Sequence, residues 1–157
     1  MQTGFRVGDA MKRRLVTIGD TANVFGAAAK MKTNNVSSLL VTGKGGKIES
    51  IITAKDLVYK SLARKNTRLK VRDLASKPLK GIESSADLTD AAKTFRNVGV
   101  KHLVVYDNGK IVGMISERDV VSLSPSLYDL IAEEQKAGFF PEFRAKIKEA
   151  KNKLLLR

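Results

Sequence analysis

Gly109-Lys110-Ile111-Val112-Gly113-Met114-Ile115-Ser116-Glu117-Arg118-Asp119 has a counterpart earlier in the chain. It is Gly46-Lys47-Ile48-Glu49-Ser50-Ile51-Ile52-Thr53-Ala54-Lys55-Asp56, at an offset of 63 residues. Both open on Gly-Lys-Ile, run through an apolar stretch and end on a hydroxyl followed three residues later by aspartate. Upstream the offset becomes 64. Val7-Gly8-Asp9-Ala10 meets Val71-Arg72-Asp73-Leu74, Leu15 meets Leu79, Ile18 meets Ile82 and Val24 meets Leu88. Ala27-Ala28 meets Ala91-Ala92, Met31 meets Phe95, Val36 meets Val100 and Val41 meets Val105. The one-residue slip falls beside Gly43, Gly45 and Gly46, a turn where a length change costs little. A register kept over about 57 residues marks a duplication.

Each copy reads β-α-β-β-α. A short strand (15–18 and 79–82) precedes a helix for which Thr21 and Ser85 are the expected N-caps. Val24, Ala27, Ala28 and Met31 recur at helical spacing, as do Leu88, Ala91, Ala92 and Phe95. Gly99 suits the end of the second helix. Strands follow at Ser38–Val41 and His102–Tyr106. Asp107-Asn108-Gly109 is a hairpin signal, and further strands run over 48–52 and 111–115. Helices then begin at Thr53 and Ser116. One copy buries too little apolar surface to stand alone. The expected class is therefore α/β (α+β), with two pseudo-symmetric repeats packed together over 7–66 and 67–127.

A helical extension is expected over 128–157. Ser124-Pro125 suits a helix start, and Gly138 a stop. Pro141 can open a final helix whose Phe143, Ile147, Ala150 and Leu154 form an apolar stripe amid Arg144, Lys146, Lys148, Lys151 and Lys153. This basic amphipathic helix reads as packing on its own dimer or as a nucleic-acid or membrane-surface element.

Composition narrows the function classes. The 157 residues are 43% hydrophobic, enough for a core. Without cysteine there is no disulfide framework, thiolate nucleophile or zinc knuckle. One histidine is too few for histidine-rich metal sites. No apolar run reaches the roughly 20 residues of a membrane span, and Met1–Arg6 lacks a signal peptide's apolar stretch. A cytoplasmic protein without a membrane span is expected. The formal charge is +13, from 29 Lys and Arg against 16 Asp and Glu. Residues 138–157 hold +4 of it, so the excess is spread along the chain. Such a balance favours polyanionic partners. The Lys60–Arg72 stretch has six basic residues and no acid, and reads as a solvated connector or a contact for phosphate or an acidic partner.

Catalytic motifs are missing. There is no Gly-x-Ser-x-Gly, P-loop or Gly-x-Gly-x-x-Gly; Thr42-Gly43-Lys44-Gly45-Gly46 is a turn. No enzymatic activity is expected. The repeated Thr53-x-x-Asp56 and Ser116-x-x-Asp119 can be capping boxes. Alternatively, a hydroxyl and free amides at a helix start suit a phosphate, and a carboxylate one turn along can accept both hydroxyls of a ribose. Two copies would then make two pseudo-symmetric nucleotide sites.

The motifs at 46–56 and 109–119, the opening Val7-Gly8-Asp9-Ala10-Met11 and the repeat register together resemble a tandem pair of CBS domains (cystathionine beta-synthase domains), or Bateman module. The resemblance spans about residues 7–127. It implies a regulatory adenosyl ligand (AMP, ADP, ATP or S-adenosylmethionine) bound in clefts between the repeats, a homodimer and an unidentified regulated protein. One site would use Asp119 for ribose, Ser116 for phosphate and Met114 against adenine. The segment from Ala10 to Leu15, and Val36 and Ser37 of the facing repeat, would complete it. Lys101 and His102 match positions that reach phosphates, although His102 alone reads equally well as a strand-end histidine. The other site would use Thr53, Asp56, Ile52, Leu74, Leu79 and Val100. Ser50 stands where the motif has glycine, and its side chain should crowd a ligand. That departure favours the Asp119 site. The alternative function is nucleic-acid binding on a CBS scaffold through the basic connector and C-terminal helix. With no tryptophan and 6% aromatic residues, base-stacking platforms are scarce.

Overall fold

The computed structural model describes residues 4–122, so the expected 128–157 extension lies outside the described residues. In the first copy β1 (Thr17–Gly19) runs parallel to β2 (Ser38–Thr42), which pairs antiparallel with β3 (Ile48–Thr53). Parallel neighbours need a crossover, and α2 (Val24–Asn34) supplies it. After β3 come α3 (Ala54–Asp56) and a wider helical turn over Leu57–Leu62. The second copy repeats this with β4 (Gly81–Glu83), α5 (Leu88–Val98), β5 (His102–Asp107), β6 (Lys110–Ser116) and α6 (Glu117–Ser122). Each sheet has three strands, ordered β1-β2-β3 and β4-β5-β6.

Two one-turn helices, α1 (Val7–Ala10) and α4 (Val71–Leu74), precede β1 and β4. The hydrophobic period did not reveal them, because four residues are too few to show one. Strands β1 and β4 start two residues later than expected. The Val16 and Lys80 carbonyls, just upstream, already accept from Leu40 N and Val104 N at 3.0 Å, and further back Lys12 pairs with Met114 and Ser76 with Ile51. The helix caps also differ. Asn23, not Thr21, accepts from Gly26 N at 2.7 Å, and Asp87, not Ser85, accepts from Thr89 N at 2.8 Å. All four residue types can cap; what selects the later pair is that the turns before them hold Thr21 and Ser85 ahead of the helix start.

The hairpins explain the slip in the repeat. Asn108 and Gly109 have φ of +49° and +74°, as a two-residue type I′ turn requires. The first copy spans its hairpin through a 3₁₀ turn at Lys44–Gly46. A β-bulge sits at the same place in both copies, between Val41 and Thr42 and between Val105 and Tyr106.

The two cores exchange segments. Ile18, Val24, Met31, Leu39, Val41 and Ile52 pack with Val71 and Leu74, which come from the leading segment of the second copy. Leu88, Phe95, Leu103, Val105 and Ile115 pack with Val7, which opens the first copy. Val7 and Val71 are both fully buried. Backbone bonds fix the exchange: Val7 N and Gly8 N donate to the Ala86 and Ser84 carbonyls, and Val71 N and Arg72 N to those of Ala22 and Asp20. Leu40 and Val104 alternate onto the opposite sheet faces yet are 0% and 1% exposed, so both faces of each central strand are covered.

The motif glycine answers to packing within the chain. A Cβ on Gly113 would lie 2.4 Å from Met11 Sδ and 3.0 Å from the Lys12 carbonyl. In the first copy Ala75 occupies the position equivalent to Met11, and Ser50 is buried, 1% exposed. The pairs Gly113/Met11 and Ser50/Ala75 are therefore complementary in size, and Ser50 marks a different packing solution. Gly113→Ser is expected to cost about 1–3 kcal/mol by overpacking. Met11→Ala added to it should recover part of that loss in urea denaturation. Strictly additive effects would show that the two positions do not share the space.

Candidate functional site

The end of β6 and the start of α6 form a closed local circuit. Ser116 N and Oγ donate to Asp119 Oδ2 at 2.8 and 2.6 Å, while Asp119 N donates back to Ser116 Oγ at 3.2 Å. Thr53 and Asp56 reproduce it, at 2.9, 2.7 and 3.2 Å. Both are capping boxes. The box occupies Oδ2 of each carboxylate. The hydroxyl proton is committed to the carboxylate, so Ser116 and Thr53 position Asp119 and Asp56.

Each Oδ1 meets a lysine, and the two lysines come from different places. Lys12 Nζ, on the segment after α1, lies 2.9 Å from Asp119 Oδ1. Lys60 Nζ, one turn beyond Asp56, lies 2.7 Å from Asp56 Oδ1 and donates to the Leu74 carbonyl at 2.8 Å. The position equivalent to Lys12 is Ser76, and that equivalent to Lys60 is Leu123. Lys60 is thus engaged at the site, although the sequence grouped it with the solvated connector.

These contacts set the charge states. Burial alone would raise the Asp56 carboxyl. Hydrogen bonds from Lys60 and from the Thr53 side chain and amide, with the Lys60 charge, outweigh it and hold the group below its ordinary value. Asp119 is lowered likewise against burial, by Ser116 and Lys12. His102 is lowered chiefly by burial; Asp119 pulls it up, while the Lys12 and Lys101 charges push it down. His102 lies opposite Ser116 in the β5–β6 register. The Lys101 carbonyl accepts from Glu117 N at 3.1 Å. Lys12, Lys101, His102, Met114, Ser116 and Asp119 therefore surround one spot, with Met114 half-buried and bridged to Lys12.

The other expected residues sort differently. Ala10 and Val100 pack at the margin of the second core and Val36 at that of the first. Leu15 and Leu79 are half-buried. The Ser37 carbonyl accepts from Ala54 N at 2.9 Å, which ties Ser37 to the Asp56 cluster. Two assignments need correction. Ile52 is fully buried in the first core. Strand alternation turns Ile51 the other way, and Ile51 is the true equivalent of Met114 at an offset of 63. Leu74 is 2% exposed, so its side chain belongs to the core and its carbonyl reaches the site. The sequence does not single out Lys12 and Lys60, because only the tertiary fold brings them to the carboxylates.

Among the described residues no group of His, Cys, Asp and Glu could hold a metal ion, and no helix is long and apolar enough to cross a membrane. The family model for the CBS domain matches residues 7–63 and 71–126. This chain belongs to the CBS-domain family. A relative from Methanocaldococcus jannaschii, described as an uncharacterized protein, is 32% identical over 127 residues, 78% of this chain and 68% of that one. A CBS domain protein from Pyrobaculum aerophilum complexed with AMP shares the fold with a TM-score of 0.66, at 23% identity over 73% of this chain and 89% of that one. So does a CBS domain pair in complex with 5′-methylthioadenosine and S-adenosyl-L-methionine, with a TM-score of 0.70 and 19% identity over 78% and 97% of the two chains.

The depressed carboxyls make the fold sensitive to acid. A carboxyl lowered on folding stabilises fully above its unfolded value, near 3.8 here, and loses that contribution as pH falls through the folded value. Thermal melts should show stability falling below about pH 4. Asp56→Asn combined with Asp119→Asn should start less stable at neutral pH and lose less on acidification. The same acid slope in both proteins would place the titrating groups elsewhere.

Proposed function

We propose that this CBS pair is a regulatory module that binds an adenine nucleotide at the Asp119 cluster and passes its occupancy to a partner protein. The observation that carries this reading is the Asp119 carboxylate, whose Oδ1 meets the solvent-exposed ammonium of Lys12 at 2.9 Å. Lys12 is 69% exposed and is held to Asp119 by one ion pair, worth little at such exposure. A ribose hydroxyl can replace it as donor. The displaced ammonium stays close by, where with Lys101 and His102 it can meet a phosphate. Met114 offers a flexible apolar surface to the base. Relatives solved with AMP, or with 5′-methylthioadenosine and S-adenosyl-L-methionine, support an adenosyl ligand. The basic surround favours AMP, ADP or ATP over an uncharged nucleoside. Coupling to the partner comes from unequal ligand affinity for two states of the pair.

A homodimer is part of the proposal. Phe25, Val58, Tyr59 and Leu62 are large hydrophobic side chains that face solvent, at 65%, 48%, 60% and 52% exposure respectively. Side chains of this kind are what a dimer interface would cover. Nucleic-acid binding is the second reading, favoured by the exposed Arg64, Lys65, Arg68, Lys70 and Arg72. Lys60 does not join them.

Calorimetry with AMP near physiological salt should give saturable binding that Asp119→Ala abolishes. His102 is the only histidine, so its NMR signal is unambiguous. Its pKa should lie below the ordinary value near 6.5 in the free protein, rise with AMP and stay put with adenosine. Full affinity in Asp119→Ala would remove the site. Binding to RNA or DNA that weakens steeply with salt, without AMP binding, would favour the second reading.

A further inference from the structure

We infer that two chains meet through their first copies, with α2 and the Leu57–Leu62 turn of one protomer lying against the same elements of its partner. The inference rests on the homodimer part of the proposed function and says which surface the two chains share. The two elements are neighbours: Val24, Ala27 and Met31 of α2 and Leu57 of the turn are buried in one core. Phe25, Ala28, Val58, Tyr59 and Leu62, beside or between them in sequence, are exposed. Phe25 and Tyr59 are 65% and 60% open. At roughly 200 Å² for a whole aromatic side chain, these two expose about 250 Å². Val58, Leu62 and Ala28 bring the patch into the range of the largest on monomers, about 300–600 Å². Two such patches and their polar rims, paired, approach the total of about 1,200 Å² at which specific interfaces begin.

The duplication supplies an internal comparison. In the second copy Thr89 stands at the position of Phe25, Lys93 at that of Ala29 and Ser122 at that of Tyr59. The outer side of α5 carries the exposed Asp90, Lys93 and Arg96, with Asp90 3.4 Å from Lys93. Setting a first copy against a second would take those charges out of water against Phe25 and Tyr59. It would gain no compensating pair, because Lys32 and Lys55 beside the first patch would find on α5 an acid that Lys93 already neutralises. Setting first copies against each other matches apolar surface with apolar surface. A patch that fits itself closes as an isologous two-fold contact. Lys55 Nζ lies 5.5 Å from the centre of the Tyr59 ring, so its charge is accommodated within its own protomer.

The chain has no cysteine, so an introduced one reacts alone. Ala28 and Ala92 are exposed and occupy equivalent positions. Full-length Ala28→Cys, and an equal mixture of Ala28→Cys with Ala92→Cys, would be treated with a short bismaleimide and the linked peptides identified by mass. Sedimentation equilibrium gives the mass of the untreated wild type. The expected result is a dimeric wild type and a covalent dimer from Ala28→Cys alone. Phe25→Thr with Tyr59→Ser, which gives the first copy the residues that the second already holds there, should weaken the dimer by about tenfold or more. Links joining position 28 only to position 92 would overturn the inference by pairing unlike copies. A dimeric wild type with no link through Ala28→Cys, or with unchanged affinity in the double variant, would also overturn it by placing the interface elsewhere. A monomeric wild type would overturn it together with the homodimer reading, while AMP calorimetry reports separately on the nucleotide reading.

Discussion

The exchange of Val7 and Val71 between the halves is the contact on which the rest of the structure depends. A three-stranded sheet with one long helix leaves part of its core open. Neither half closes that gap with its own leading segment. Val7 seals the second core and Val71 the first, each fully buried and each held by amides that donate to the turn before a long helix. The halves are stable together because each holds a piece of the other.

That exchange also builds the polar clusters. Bringing α1 to the second half carries Lys12 to Asp119 and pairs it with Met114. Bringing α4 to the first half carries the Leu74 carbonyl to Lys60. The same movement fixes the tight spot at Gly113, where Met11 lies against β6. Packing and electrostatics are therefore linked: residues that close the cores also select the cation facing each carboxylate.

The pseudo-symmetry holds in strand plan, departs at the hairpin loops and at the wider helical turn over Leu57–Leu62, and is broken in side chains. Both copies keep the bulge, the capping box and the strand order. They differ where a lysine, a methionine or a glycine stands in one copy alone. A duplicated scaffold can hold its fold by the shared features while the unshared ones make the two clusters chemically distinct. The neutral-leaning His102 belongs to one cluster; Ser38, buried, is its counterpart in the other.

Much was legible in the chain itself. The repeat register, the β-α-β-β-α order, the Asn108-Gly109 turn and the hydroxyl-x-x-Asp boxes are local or periodic signals, and each depends on residues close in sequence. Thr21 against Asn23 and Ser85 against Asp87 could not be separated that way, since all four types cap helices and the turn geometry chooses. Ile52 in place of Ile51 is a one-residue slip, which in a strand exchanges the core face for the opposite one. Lys12 beside Asp119 is a contact across 107 positions of chain, and Lys60 on the Leu74 carbonyl needs α4 to fold back. The sequence alone determined the elements and their duplication, because short-range sterics and hydrophobic period specify them. The tertiary structure decided which charge meets which carboxylate, because that follows from how the two halves exchange segments.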